Sequence, residues 1–181
     1  MVRGSKPLTF FMVATLFKKK YSEQLKFITE RLVIMVRYLS MDILDTATEL
    51  MAHQVNCKGV MGAGLARQIK TEFPAVYEAY RRACNNVAKS SDLLGKIQIK
   101  QGIVNLFAQD GYGTDRQYTD YKALETCLSK LASYMTEHQM KTLALPYGLG
   151  CGLGGGDWKV VHEIIRDIFT PSEITVYICE R

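Results

Sequence analysis

With 181 residues, 48% hydrophobic and 23% charged, the chain has the make-up of one folded domain plus a short appendage, and its composition excludes disorder. Its net charge of +5, from 23 basic and 18 acidic residues, suits an anionic ligand. That excess is too small to mark a nucleic-acid-binding protein, and much of it sits in Lys18, Lys19 and Lys20.

The first thirty-four positions read differently from the rest. Leu8 to Phe17 is apolar but too short to cross a bilayer, and no small-x-small cleavage site follows it. From Ser22, read as an N-cap, Leu25, Ile28 and Leu32 share one helical face. Residues 1–34 are therefore expected to be an extension, either a docking segment or sequence upstream of a start at Met35. The domain is expected to run from residue 35 to 181.

From Met35 the pattern turns regular. Val36 to Ile43 and Leu50 to Val55 read as strands. A glycine loop from Asn56 to Gly64 opens a helix carrying Leu65, Ile69 and Phe73 at i, i+4 and i+8. Pro74 suits the first turn of a second helix with Val76 and Tyr80 inward. Lys96 to Ile99 and Ile103 to Phe107 are short strands around a turn at Gln101 and Gly102. A polar loop, Gln109 to Gln117, leads to a helix with Tyr121, Leu124, Leu128, Leu131 and Met135 inward. Thr142 to Pro146 is an apolar strand running into a second glycine loop, Gly148 to Gly156. Asp157 caps a helix bearing Trp158, Val161, Ile165 and Ile168. A turn at Pro171 and Ser172 precedes a last strand with Ile174, Val176 and Ile178 alternating. Alternating strands and helices, with several strands continuously apolar, predict a mostly parallel sheet covered on both faces.

The two glycine loops carry the chemistry. Each follows a buried strand and precedes a helix, where free backbone N–H groups and the positive end of the helix dipole favour phosphate oxygens. One such loop is a weak signal; two in one domain point to a diphosphate held from both sides. A Walker A loop is excluded because Gly64 is followed by Leu65, Ala66 and Arg67 rather than Lys and Ser or Thr. The dinucleotide fingerprint is absent from the first loop, and in the second its third glycine position is Leu153. Five cysteines, an odd count with no Cys-x-x-Cys pair, speak for reduced thiols and a cytoplasmic protein. The three scattered histidines form no ligand set with them, so no metal site is expected.

The stretches Met41 to Leu44, His53 to Ala66, Phe107 to Gly113 and Leu145 to Trp158, in that order, resemble the macrodomain family of ADP-ribose-binding proteins. The likeness is strongest to its phage and bacterial members and to the branch of ADP-ribose-1''-phosphate phosphatases and terminal ADP-ribose glycohydrolases. The resemblance implies a three-layer α/β/α fold with a mostly parallel, mixed sheet. It implies that Asp42 accepts a hydrogen bond from the adenine amino group beside the Ile43 backbone, and that Asn56 contacts the distal ribose. Gly62, Ala63 and Gly64 would form one side of the diphosphate cradle, and Gly148, Leu149, Gly150, Cys151, Gly152 and Leu153 the other. Tyr112 lies where the family's middle loop approaches the ligand. Met41 departs from the glycine that many members have before the aspartate.

The glycohydrolase branch would also require a lysine in the middle loop and an aspartate after Leu153; this chain has no lysine there and has Gly154. The expectation is therefore hydrolysis of an ADP-ribose derivative, the 1''-phosphate or an ester-linked ADP-ribosyl group, by an oriented water. Asn56 and His53 are the candidate catalytic residues, with His53 equally readable as a core histidine. The runner-up is a reader that binds ADP-ribose without turnover; a third class, an RNA- or poly(ADP-ribose)-binding module, rests on the basic balance alone. No cofactor is expected; ADP-ribose, or a macromolecule carrying it, is the expected partner, with the chain monomeric and off the membrane. Cys57 and Cys151 read as packing residues, because no paired base is evident.

Overall fold

The structure is a computed structural model that describes residues 21–24 and 35–180. The chain divides into two units, residues 1–34 and 35–181. In the first, residues 21–24 are helical, so Ser22 lies inside a helix rather than ahead of one. The apolar run from Leu8 and the stripe of Leu25, Ile28 and Leu32 lie outside the described residues. No helix among the described residues is long and apolar enough to cross a membrane.

In the second unit, six strands form one sheet: β1 (Val36–Ser40), β2 (Leu50–Asn56), β3 (Ile97–Lys100), β4 (Ile103–Gln109), β5 (Thr142–Pro146) and β6 (Thr175–Glu180). Their order is β1-β6-β5-β2-β4-β3. All neighbours are parallel except β3, which pairs antiparallel with β4. That exception follows from the two-residue connection at Gln101 and Gly102, which adopt φ of 52° and 76°. Positive φ at both central positions is what a tight hairpin requires. Four helices cover the sheet: α1 (Gly64–Glu72), α2 (Pro74–Asn85), α3 (Tyr121–Glu137) and α4 (Trp158–Phe169).

Strand alternation splits the core in two. Leu50, Ala52, Val104, Leu106, Leu143, Leu145, Val176 and Ile178 pack under α3 and α4. Met51, Val55, Ile103, Phe107 and Ala144 face Ile69, Val76 and Tyr80 of α1 and α2. The expected three layers are present, and the mixed sheet is shielded on both faces.

Several details differ from the sequence reading. β1 stops at Ser40, and Ile43–Asp45 form a 3-10 turn because the Asp42 side chain accepts the Leu44 N–H at 3.0 Å. Ile43 owes its apolar character to a place in the α1–α2 core rather than to a strand. Phe73 lies at the junction between α1 and α2, and on α4 the buried stripe is Val161, Ile165 and Phe169, with Ile168 at its edge. Asp157 caps α4 as expected, its carboxylate accepting the Lys159 N–H at 2.8 Å.

Candidate functional site

The parallel strands all deliver their carboxyl ends to one side, where β2 runs into the first glycine loop and β5 into the second. Between these loops lies a cleft of about 750 Å³. Of the residues singled out in the sequence, His53, Asn56, Gly62, Ala63, Gly64, Tyr112, Gly148, Leu149, Gly150, Gly152 and Leu153 line it. Asp42, Ile43 and Cys151 do not. Asp42 stands beyond the end of β1, and Cys151 turns back against the α3–α4 core with its thiol donating to Leu149 O.

The first loop is shaped by Asn56. Its Oδ1 accepts from the N–H of Lys58 (2.9 Å), the N–H of Val60 (3.3 Å) and the hydroxyl of Tyr80 (2.8 Å), while Nδ2 donates to Val60 O at 2.6 Å. One carboxamide thus ties strand, loop and α2 together and keeps one Nδ2 hydrogen for a ligand. Asn56→Ala is expected to cost about 1–3 kcal/mol, because it strands the Lys58 and Val60 amides, while Tyr80 keeps the Asn56 backbone carbonyl at 2.8 Å as its acceptor. Urea denaturation checks this; an unchanged midpoint would remove Asn56 from the loop's support.

α1 begins at Gly64, with φ of 51°, and its N-cap Ala63 contributes no side-chain cap. The first amides of this helix are therefore left without an internal acceptor among the described residues. In the second loop Gly148 and Gly150 adopt φ of 69° and 75°. Cys151 donates to Gly148 O and Gly156 to Gly150 O, whereas the amides of Gly150, Gly152 and Leu153 take no internal acceptor among the described residues. Two sets of N–H donors thus border one cleft, the arrangement that suits anionic oxygens.

Sequence reading missed the support of the second loop. Gln54 points to the α3–α4 side of β2, where Nε2 donates to Gln109 Oε1 and Thr119 Oγ1, both at 2.8 Å. Thr119 in turn donates to Gly150 O at 2.7 Å. The Gln54 Oε1 is buried without a protein donor among the described residues. It lies 2.5 Å from where a Cβ on Gly150 would sit. The available signal was a glutamine and an Asn-to-Gln pair, Asn105 and Gln109, inside strands that are otherwise apolar.

His53 points the other way, is 2% exposed and shares a 2.7 Å hydrogen bond with Asn105 Oδ1 through Nε2. Asn105 donates to Gln98 Oε1, and Gln98 donates to Ala79 O on α2. Burial pushes the His53 pKa down from 6.5 to about 4, against the opposing pull of Asn105, so the ring is neutral at pH 7. Burial also pushes the Cys57 thiol up to about 12 and raises that of Cys151. Neither is a thiolate at neutral pH, as the packing reading of both requires. No Lys, Arg, Asp or Glu is among the residues that line the cleft.

A three-layer α/β/α sheet with a cleft of about 750 Å³ between two glycine loops defines the class of protein. The chain belongs to the Macro domain family, whose model matches residues 52–165. It is 30% identical over 145 residues to a DNA ADP-ribosyl glycohydrolase of Mycobacterium tuberculosis, covering 75% of this chain and 39% of that protein. A fusion protein of Thermosipho africanus, named as DNA ADP-ribosyl transferase and DNA ADP-ribosyl glycohydrolase, is 30% identical over 84% of this chain and 44% of its own length. The chain thus spans about two fifths of the length of these curated relatives. The solved structure of Thermosipho africanus DarTG in complex with ADP-ribose superposes with a TM-score of 0.68 at 25% identity, over 82% of this chain and 42% of that one.

Proposed function

We propose that the cleft binds ADP-ribose and that the domain hydrolyses a derivative of it at the distal ribose. The observation that carries this reading is the pair of glycine loops, whose unpaired amides border one cleft from both sides. The names of the relatives and the ADP-ribose complex of a structural neighbour support it. In this reading the amides at the start of α1 and those of Gly150, Gly152 and Leu153 hold the diphosphate. Asp42 receives the adenine amino group, and the second Nδ2 hydrogen of Asn56 reaches the distal ribose. Tyr112 borders the distal end. Affinity is expected in the micromolar range, on the order of −8 kcal/mol.

Hydrolysis adds water across the bond between the distal ribose and its substituent, so that the substituent leaves with one proton. A lysine nucleophile is not part of this proposal, since none lines the cleft. Binding and orientation supply most of the effect. His53, neutral but with a pKa near 4, is a weak base, and slow turnover is expected.

The test incubates the protein with ADP-ribose-1''-phosphate and with an ester-linked ADP-ribosylated peptide, with and without EDTA, for the parent and for His53→Gln. Slow, EDTA-insensitive release without a lysine adduct by mass spectrometry is the expected result. A trapped lysyl adduct or chelator-sensitive turnover would refute the mechanism. Full activity in His53→Gln would assign that ring to the core alone. A second reading, the non-catalytic reader, is favoured by the lack of any carboxylate or amine along the cleft wall. Tight ADP-ribose binding with no turnover on either substrate would select it.

A further inference from the structure

Three polar side chains cross the apolar layer beneath α1 and α2 in a single row. The strand register sets Asn105 opposite both His53 on β2 and Gln98 on β3, so all three point to one face of the sheet. They share that face with Met51, Val55, Ile103 and Phe107. Asn105 and His53 are buried and Gln98 is half-buried. Polar groups persist in such a layer only when they are paired, and here each is paired to the next.

The row ends on a group that can act in one way only. The Ala79 carbonyl accepts, so the Gln98 atom 3.1 Å from it is the amide nitrogen. Gln98 therefore turns Oε1 to Asn105, whose Nδ2 donates to it at 3.1 Å. That leaves Asn105 Oδ1 for His53. An oxygen without a hydrogen requires that the Nε2 at 2.7 Å carry the ring proton. The other tautomer would turn Asn105 over and set two oxygens against each other at one of the two 3.1 Å contacts. The direction of the whole chain thus follows from a helix carbonyl. Burial keeps the ring neutral at pH 7, and a neutral imidazole has one ring proton, so Nδ1 is bare. Nδ1 makes no hydrogen bond among the described residues, and it does not count with Gln54 Oε1 and Thr170 Oγ1 as a buried atom lacking one. It is the ring nitrogen left for the cleft that His53 lines.

We infer that Asn105 and Gln98 are positioning residues that hold His53 in its Nε2–H form and present a bare Nδ1 to the cleft, as an acceptor for an O–H donor. The donor is a sugar hydroxyl or a water that the ligand holds. A ring fixed in this way gives no hydrogen bond to a phosphate oxygen, so the amides of the two glycine loops serve the anionic oxygens without it. The identity of the donor rests on the ADP-ribose reading of the cleft. The tautomer does not, because the row from His53 to Ala79 is complete before any ligand arrives.

The experiment records long-range proton–nitrogen NMR correlations at pH 7 on the full chain, labelled with nitrogen-15 at histidine. The chain has three histidines, His53, His138 and His162, and the His53 signals are those missing from His53→Gln. Nε2 is recognised as the nitrogen strongly coupled to Hδ2. The parent is expected to show a protonated Nε2 and an unprotonated Nδ1, with no averaging between them. Gln98→Met keeps a side chain of similar length but frees Asn105 to turn. Its two His53 nitrogens should move towards each other as both tautomers exchange. A parent with its proton on Nδ1 overturns the inference, and so does a Gln98→Met protein whose His53 signals match the parent's. The parent spectrum alone decides the tautomer if Gln98→Met does not fold. Titration with ADP-ribose, with binding followed by calorimetry, should shift Nδ1 towards the protonated side while Nε2 keeps its proton. A parallel titration with ADP finds the donor: a shift with ADP-ribose alone assigns it to the distal ribose, and a shift with both assigns it to the shared half of the ligand or its water. Bound ADP-ribose that leaves Nδ1 unmoved overturns the acceptor role. A parent that binds no ADP-ribose defeats the reading of the cleft and leaves the tautomer standing.

Discussion

Gly152→Glu is expected to abolish ADP-ribose binding in a protein that folds as the parent does. Gly152 is exposed on the cleft wall, lies outside the left-handed region, and a Cβ there meets nothing within 4 Å. A glutamate at this point enters the space proposed for the diphosphate. Like charges about 4 Å apart near a protein surface repel by about 4 kcal/mol, a loss of two orders of magnitude or more in affinity. Gly150 is the less useful position. Its φ of 75° and its approach to Gln54 Oε1 mean that any side chain there disturbs the loop before a ligand arrives. Calorimetry with a thermal melt on the same sample decides the matter. Parental affinity in a folded Gly152→Glu protein would show that this loop does not hold phosphate.

The acid side of the stability profile is expected to carry the signature of His53. Its folded pKa, about 4, lies below the ordinary 6.5, so between these values the unfolded chain binds a proton that the folded chain refuses. Stability from this source is complete above pH 6.5 and falls as the pH drops towards 4. The loss over that window is on the order of 3 kcal/mol. His53→Gln removes the titration while retaining a donor for Asn105, so its stability should lose that slope. Chemical denaturation of both proteins at pH 7 and near pH 4.5 is the comparison. Parallel pH profiles would mean that the ring titrates normally.

Most of the frame was legible because strand and helix periodicities are strong where a sheet is covered on both faces. Leu143 and Leu145 and the α3 stripe of Leu124, Leu128, Leu131 and Met135 announced themselves in this way. The loops were legible because a strand, glycines and a helix start leave few backbone solutions. Less legible were features that depend on which side chain meets which. Ile43 looked like strand because it is apolar, yet Asp42 closes a turn around it. Within β2, the alternation sends His53 to one face and Gln54 to the other. Their opposite partners, Asn105 and Thr119, lie 52 and 65 positions away in the chain, beyond the reach of local pattern.

The chain from Gln54 through Thr119 to Gly150 bears on how a ligand is met. The carbonyl of Gly150 is held by Thr119, and the nearby amides of Gly150, Gly152 and Leu153 are left without an internal acceptor among the described residues, in a loop that does not need the ligand to arrange it. The ordering cost of that loop therefore falls on folding and not on binding. A cleft prepared in this way discriminates by shape, because a ligand whose anionic oxygens do not match the standing donors cannot recruit them by bending the loop. Selectivity, on this view, is written into a glutamine that braces the loop through Thr119.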